Sequence, residues 1–123
     1  MSKGQVLIVD DEEAIRDVVS TLLETQGYSC SSVANGREAV ERLKKNSLDL
    51  VLSDMLMPEM DGLQLLSWLH SHDPEIPIIM VTSRGESCNV EQGFESGCND
   101  YVTKPIDGAE LVQIVNGYLM AQG

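Results

Sequence analysis

Continuous apolar runs alternate along this chain with segments of helical periodicity. Three runs contain almost no polar residue, whereas a strand with one solvated face would alternate apolar and polar positions. Residues 6–9, 48–52 and 76–81 are therefore predicted to be strands buried on both faces, as in a parallel sheet. Weaker runs at residues 28–33 and 100–102 predict two further strands, which we place at the sheet edges.

Helical patterns follow the strands. The first and the last have the i, i+3, i+4, i+7 spacing of an amphipathic helix, and Gly27 ends the first. Their apolar stripes are Ile15, Val18, Val19, Leu22 and Leu23, and Leu111, Ile114, Val115, Tyr118 and Leu119. The second, third and fifth helices start at Asn35, Asp61 and Asp107, each followed three residues later by Glu or Gln, as in a capping box.

The fourth helix, at residues 86–96, is predicted to be the least stable. Its apolar face is thin, and Gly93 lies inside it. An interior glycine costs about 1 kcal/mol relative to alanine. We expect this segment to take part in any conformational switch.

The strand–helix unit thus repeats five times, which predicts an α/β fold with a parallel sheet, right-handed crossovers and helices on both faces. Placing the strongly apolar strands in the centre gives the order 2-1-3-4-5, a flavodoxin-like (βα)5 doubly wound sheet. A length of 123 residues suits one domain, and we assign residues 1–123 to it.

Charge and composition argue against several classes of function. The net charge is −12, with only eight Lys and Arg residues, so binding to a phosphate backbone by this domain is not expected. The acidity favours cations and basic partner surfaces instead. No apolar run approaches the roughly 20 residues of a membrane span, and no signal peptide is evident. Three scattered cysteines suggest reduced thiols in the cytoplasm.

Polar residues gather after the predicted strands. Asp10 and Asp11 follow the first strand, Asp54 follows the third, Thr82 follows the fourth, and the fifth leads into Lys104. Ligands of such sheets bind beyond the carboxyl ends of the strands. The fold should therefore bring three carboxylates, a hydroxyl and an ammonium to one edge.

The segments VDDEE, SDMLMPEMDG, MVTS and DYVTKP, in this order, resemble the receiver domain of two-component response regulators over residues 5–120. The resemblance implies a Mg²⁺ (or Mn²⁺) site, because carboxylate and carbonyl oxygens are the ligands of such cations. Asp11 and Asp54 would bind the metal directly, Asp10 would hold it through water, and the backbone carbonyl of Leu56 would be a further ligand. A bound cation would explain why adjacent carboxylates follow the first strand.

The resemblance also implies a phosphoacceptor, Asp54. The phosphoryl group would come from a phosphohistidine on a sensor histidine kinase or a histidine phosphotransfer protein. Lys104, preceding a cis proline bond, would neutralise a phosphoryl oxygen, and Thr82 would donate to another. Thr82 and Tyr101 would be the switch residues of a face made by the fourth helix, the fifth strand and the fifth helix.

That face would act on a downstream protein or a covalently linked output domain, and the domain would not be a multiple-turnover enzyme. The apolar side chain of Leu56 cannot orient a water by hydrogen bonding, so we expect slow self-dephosphorylation. The partner kinase is expected near the first helix and the loop after the fifth strand. The sequence leaves open whether the domain stands alone or belongs to a longer chain.

Plainer interpretations exist for each residue. Asp10 could be a helix N-cap with Glu13 three residues on, and Asp54 and Thr82 could form side-chain turns. Lys104 could be a solvated lysine, and Tyr101 could simply pack at the edge.

Three other functions are also possible. The first is a receiver-like binding module that is not phosphorylated. The second is an aspartyl-nucleophile phosphohydrolase, although Leu56 stands where its second aspartate would be. The third is a flavin or nucleotide carrier, which would need phosphate-binding donors after the first strand. The carboxylates found there argue against it.

Overall fold

A computed structural model describes residues 3–55, 62–83 and 100–119. In these ranges the chain forms five strands and four helices. They are β1 (Gln5–Val9), α1 (Glu13–Thr25), β2 (Ser29–Val33), α2 (Gly36–Lys45), β3 (Leu50–Asp54), α3 (Gly62–His72), β4 (Ile78–Ser83), β5 (Asp100–Lys104) and α4 (Gly108–Leu119). The helix predicted at residues 86–96, the cap at Asp61 and the ligand Leu56 lie outside the described residues.

The strands form one parallel sheet in the order β2-β1-β3-β4-β5, which confirms the predicted topology. Successive residues of β1 point to opposite faces of the sheet. Leu7 and Val9 join a core beneath α2 and α3, while Val6 and Ile8 join a second core beneath α1 and α4. Because both faces of the sheet are covered, the central strands can be apolar throughout.

Two helix boundaries follow from local chemistry as predicted. The Asn35 side chain accepts a hydrogen bond from the Glu38 N–H at 2.9 Å and so caps α2. Gly27 has a φ of 97°, a left-handed conformation that glycine adopts without a Cβ clash. This conformation lets the Tyr28 N–H donate to the Leu23 carbonyl, which closes the end of α1.

The predicted stripe of α1 is wrong at one position. Val19 and Leu23 are buried, but the Val18 side chain is 59% exposed. Adjacent helical residues point about 100° apart, so α1 turns only Val19 of this pair toward the sheet. Val18 is left on the outer surface.

The predicted ends of three strands are also corrected. β3, β4 and β5 each continue two residues beyond the predicted end, so Asp54, Thr82 and Lys104 lie within strands and not in loops. β3 and β4 also begin two residues later than predicted. The parallel ladder pairs Asp54 with Val81 and Ser83 with Lys104. Backbone pairing does not require an apolar side chain, so the ladder outlasts the hydrophobic run.

Candidate functional site

Neighbouring strand ends bring two buried carboxylates together. The register of β1 and β3 pairs Val9 with Ser53, so Asp10 and Asp54 are the next residues of adjacent strands. Asp10 is 2% exposed and Asp54 is 6% exposed. A buried carboxylate is costly unless it is paired or hydrogen-bonded. The two aspartates therefore require a positive charge close by.

Lys104, the last residue of β5, supplies that charge. Its Nζ lies 3.2 Å from Asp10 Oδ2 and 3.3 Å from Asp54 Oδ2, with Glu12 Oε1 at 3.7 Å. Burial lowers the pKa of Lys104, but the attraction of Asp54 and then of Asp10 outweighs it and raises the pKa above its ordinary value. Lys104 therefore stays protonated at neutral pH. The Lys104–Pro105 peptide bond is cis, as the resemblance implies.

Asp10 is held by hydrogen bonds on both its side chain and its backbone. Its Oδ1 accepts from the Glu12 N–H at 2.9 Å, and Arg16 Nη1 donates to its carbonyl oxygen at 2.7 Å. Helix α1 begins only at Glu13, with Glu12 as an N-cap residue whose side chain makes no capping bond. The interpretation of Asp10 as the N-cap of α1 is therefore wrong. Its second carboxylate oxygen faces Lys104 instead.

Three consecutive acidic residues offer ligand atoms for a cation. One oxygen each of Asp10, Asp11 and Glu12 lies within 4.8 Å of the other two. Asp10 is buried, whereas Asp11 and Glu12 are exposed. An all-oxygen donor set of this kind suits a hard divalent cation such as Mg²⁺. This donor set fits the metal that the resemblance implies, but it includes Glu12 and not Asp54, which the resemblance names as a direct ligand.

The two predicted switch residues lie on neighbouring strands, Thr82 on β4 and Tyr101 on the edge strand β5. Thr82 is 1% exposed and pairs with Thr103 across the ladder, one residue from the Ser83–Lys104 pair. Tyr101 pairs with Met80 and is 37% exposed, with its N–H bonded to Asp100 Oδ1 at 2.9 Å. Thr82 therefore lies at the site edge, and Tyr101 lies nearer the start of β5.

Sequence reasoning missed three residues that support the site. Ser53 is fully buried, and its hydroxyl donates to the Asp54 carbonyl oxygen at 2.9 Å. Arg16 holds Asp10, and Glu12 faces Lys104. Ser53 could have been noticed as the polar residue within an apolar strand. The roles of Arg16 and Glu12 depend on distances that spacing along the chain does not give.

Cys30 shows no sign of reactivity. It is a free, half-buried thiol, and burial, followed by the charge of Glu24, raises its pKa to about 11. Thiols react as thiolates, so a raised pKa favours a packing role. Cys88 and Cys98 lie outside the described residues.

Comparison with known proteins identifies the family. The family described as response regulator receiver domain matches residues 6–116. The transcriptional regulatory protein SrrA of Staphylococcus aureus (strain NCTC 8325 / PS 47) is 41% identical over 116 residues, which cover 94% of this chain and 48% of SrrA. The chain therefore spans about half the length of the curated relatives it matches.

Solved structures of receiver domains are similar to this chain in fold and sequence. The receiver domain of the Francisella response regulator 1452 has a TM-score of 0.90 at 30% identity, covering 98% of this chain and 99% of that one. A signal receiver domain of a histidine kinase from Syntrophus aciditrophicus has a TM-score of 0.88 at 38% identity, covering 96% and 91%. The chain belongs to the response regulator receiver domain family of two-component signalling. None of the helices in the described ranges is long and apolar enough to cross a membrane.

Proposed function

We propose that Asp54 accepts a phosphoryl group from a phosphohistidine of a partner protein. One observation carries this proposal: the Asp54 carboxylate is buried at the end of β3, 3.3 Å from Lys104 Nζ, beside an oxygen-rich acidic cluster. A nucleophile held next to a fixed positive charge suits phosphoryl transfer, which depends on positioning and charge neutralisation. The partner would be a sensor histidine kinase or a histidine phosphotransfer protein.

In the proposed step, an Asp54 carboxylate oxygen attacks the phosphorus. The bond from phosphorus to the histidine nitrogen breaks, and its electron pair stays on that nitrogen, which takes up a proton. Lys104, already facing Asp54, neutralises a phosphoryl oxygen. The Thr82 hydroxyl, at the neighbouring strand end, donates to another. The product is an aspartyl phosphate on this chain.

Asp11, Asp54 and the backbone carbonyl of Leu56 would hold Mg²⁺ (or Mn²⁺) directly, and Asp10 would hold it through water. A bound ion would neutralise charge on the acceptor and the phosphoryl oxygens. Lys104 shares two of these carboxylates, so it positions the acceptor and also limits the net negative charge of the site.

The signalling output is proposed to lie on the face that includes β5 and α4, together with residues 86–96. Thr82 and Tyr101 would change position on phosphorylation, and a downstream protein or a linked output domain would bind the altered face. Residues 1–123 would form a single receiver domain that acts in the cytoplasm, with the kinase docking near α1 and the loop after β5. The phosphoryl group on the domain would act as a signal. It would be lost slowly, because the apolar side chain of Leu56 cannot orient an attacking water.

Intact-mass measurement after incubation with acetyl phosphate tests the proposal. We expect one added phosphoryl group on wild type with Mg²⁺, none with EDTA, and none on Asp54→Asn. Asp49→Asn is the matched control. Asp49 lies just before the first residue of β3, at the other end of the strand from Asp54, and its side chain accepts a hydrogen bond from the Gln5 N–H. An adduct that persists on Asp54→Asn would contradict the assignment.

Intact mass, together with a measurement of phosphate released from phosphate esters, separates the receiver from the phosphohydrolase and from the binding module. A phosphohydrolase would release phosphate over many turnovers from phosphate esters, whereas a receiver takes up one equivalent. A binding module that is not phosphorylated would show no adduct although it is folded and binds Mg²⁺. Stoichiometric, Mg²⁺-dependent labelling without repeated turnover of phosphate esters would exclude both.

A further inference from the structure

The first residue of α3 lies directly against the backbone that follows Asp54. A Cβ built on Gly62 would be 2.5 Å from the Asp54 carbonyl oxygen, 2.9 Å from Met55 Cα and 3.2 Å from Met80 Sδ. Carbon atoms without a bond between them are normally about 3.5 Å or more apart. The two closest atoms belong to the backbone, so they cannot move aside as the end of a flexible side chain can. Only glycine fits position 62 without displacing the Asp54 peptide.

Hydrogen bonds fix the same peptide on its other sides. The Ser53 hydroxyl donates to the Asp54 carbonyl at 2.9 Å, and the Met55 N–H donates to the Val81 carbonyl at 3.2 Å. The Gly62 N–H donates to the Met55 carbonyl at 3.0 Å. The peptide group after Asp54 is thus held by β3 and β4, and the next peptide group, which contains the Met55 carbonyl, is held by the start of α3.

This arrangement bears on the acceptor carboxylate. The Asp54 side chain leaves the backbone one bond from the fixed carbonyl carbon, and its Oδ2 lies 3.3 Å from Lys104 Nζ. A shift of the carbonyl would turn the Cα–Cβ direction and move the carboxylate away from Lys104. Misplacement by about 1 Å can reduce the rate of a reaction about 100-fold.

We propose that Gly62 is a positioning residue for phosphoryl acceptance. Its lack of a side chain lets α3 begin against the Asp54–Met55 peptide, which aims the Asp54 carboxylate at Lys104. This inference rests on the proposed function, since it concerns the same acceptor. Glycine is a poor helix former, so its presence at the first position of α3 is explained by this close approach.

Labelling by acetyl phosphate in Mg²⁺ tests the inference, with the rate measured against donor concentration. We expect Gly62→Ala to lower the rate at saturating donor by about 100-fold, with little change in the concentration that gives half the maximal rate. Because a partly unfolded population would also lower the maximal rate, the folded fraction of each variant is measured by urea unfolding and the rate is expressed per folded protein. Gly117→Ala is the control, because nothing lies within 4 Å of a Cβ built at that position in α4. It should be labelled at the wild-type rate.

Ser53→Ala provides a second test that does not add volume. It removes the hydroxyl that holds the Asp54 carbonyl, and we expect the maximal rate to fall about fivefold, the equivalent of one hydrogen bond. If Gly62→Ala does not fold, Ser53→Ala decides, and an unchanged rate would overturn the inference. A folded Gly62→Ala labelled as fast as wild type would overturn it as well. If wild type is labelled in the same experiment, either of these results overturns the inference about Gly62 and leaves the proposed function intact. If wild type is not labelled, the inference and the proposed function are both overturned.

Discussion

Lys104 shows how one side chain can serve both stability and function. Two buried carboxylates, Asp10 and Asp54, face its ammonium group at 3.2 and 3.3 Å. Breaking a buried ion pair by removing one partner costs more than the pair itself contributes, because the remaining charge stays buried without compensation. Lys104, which would neutralise a phosphoryl oxygen, therefore also stabilises the two buried carboxylates of the unphosphorylated protein.

We expect Lys104→Met to lower the free energy of unfolding by about 3 kcal/mol at pH 7 in EDTA, because both aspartates lose their cation. Urea unfolding measures the difference. The folded-state pKa of Lys104 is raised, so the stabilisation is fully present below the ordinary value of 10.5 and is lost as pH rises through the raised value. The wild-type and variant curves should converge there.

Lys44→Met is the control for this prediction. Lys44 lies on the surface of α2, 4.0 Å from Glu41, with both side chains more than half exposed. Exposed pairs contribute about 0–1 kcal/mol. A Lys104→Met variant no less stable than Lys44→Met at pH 7 would show that Lys104 does not compensate the buried aspartates.

At the scale of helices and strands, the apolar runs predicted where each strand lies but not where it ends. Asp54, Thr82 and Lys104 were expected after strands and are found within them, because the backbone ladder continues past the last apolar residue. Caps at Asn35 and Asp107 were predictable since a cap is local: the Asp107 side chain accepts from the Ala109 and Glu110 N–H groups.

The candidate site, like the strands, could be predicted from the sequence only in part. Asp10, Asp11, Asp54, Thr82 and Lys104 could be selected from the sequence because each is a polar residue at or after the carboxyl end of a predicted strand. Ser53 and Gly62 support Asp54 through contacts made in three dimensions. Such contacts depend on how closely α3 approaches β3, and no spacing along the chain encodes that distance.

Helix α1 offers a matched pair for testing its orientation. Val19 is 2% exposed in the core beneath α1 and α4, whereas Val18 is 59% exposed. We expect Val19→Ala to lower the free energy of unfolding by about 2 kcal/mol, through lost burial and a cavity, and Val18→Ala to change it by less than about 0.5 kcal/mol. Helix propensity changes equally in both variants. Equal effects in urea unfolding would mean that α1 is rotated about its axis.

On the scale of the whole molecule, Lys104 of the candidate site and the proposed output surface share one strand. β5 carries Tyr101 near its start and Lys104 at its end, and it forms an edge of the sheet. An edge strand is paired on one side only, so its free side can present a surface to a partner. β5 therefore connects the site directly to that surface.

We expect phosphorylation to change the amide chemical shifts of Tyr101 and of neighbouring residues in α4. Wild type and Asp54→Asn, each with acetyl phosphate and Mg²⁺, would be compared by two-dimensional NMR. The variant should show no change at these positions. Shift changes confined to residues around Asp10, Asp54 and Lys104 would contradict the proposed output face.

The identity of the phosphorylated residue is the central claim, and reductive trapping tests it most directly. Borohydride reduces an aspartyl phosphate to homoserine, which peptide mass spectrometry locates in the sequence. After incubation with acetyl phosphate we predict homoserine at position 54, in the presence of Mg²⁺ and not in EDTA. Homoserine at position 10 or 11, or no homoserine in a protein that binds Mg²⁺, would contradict the account.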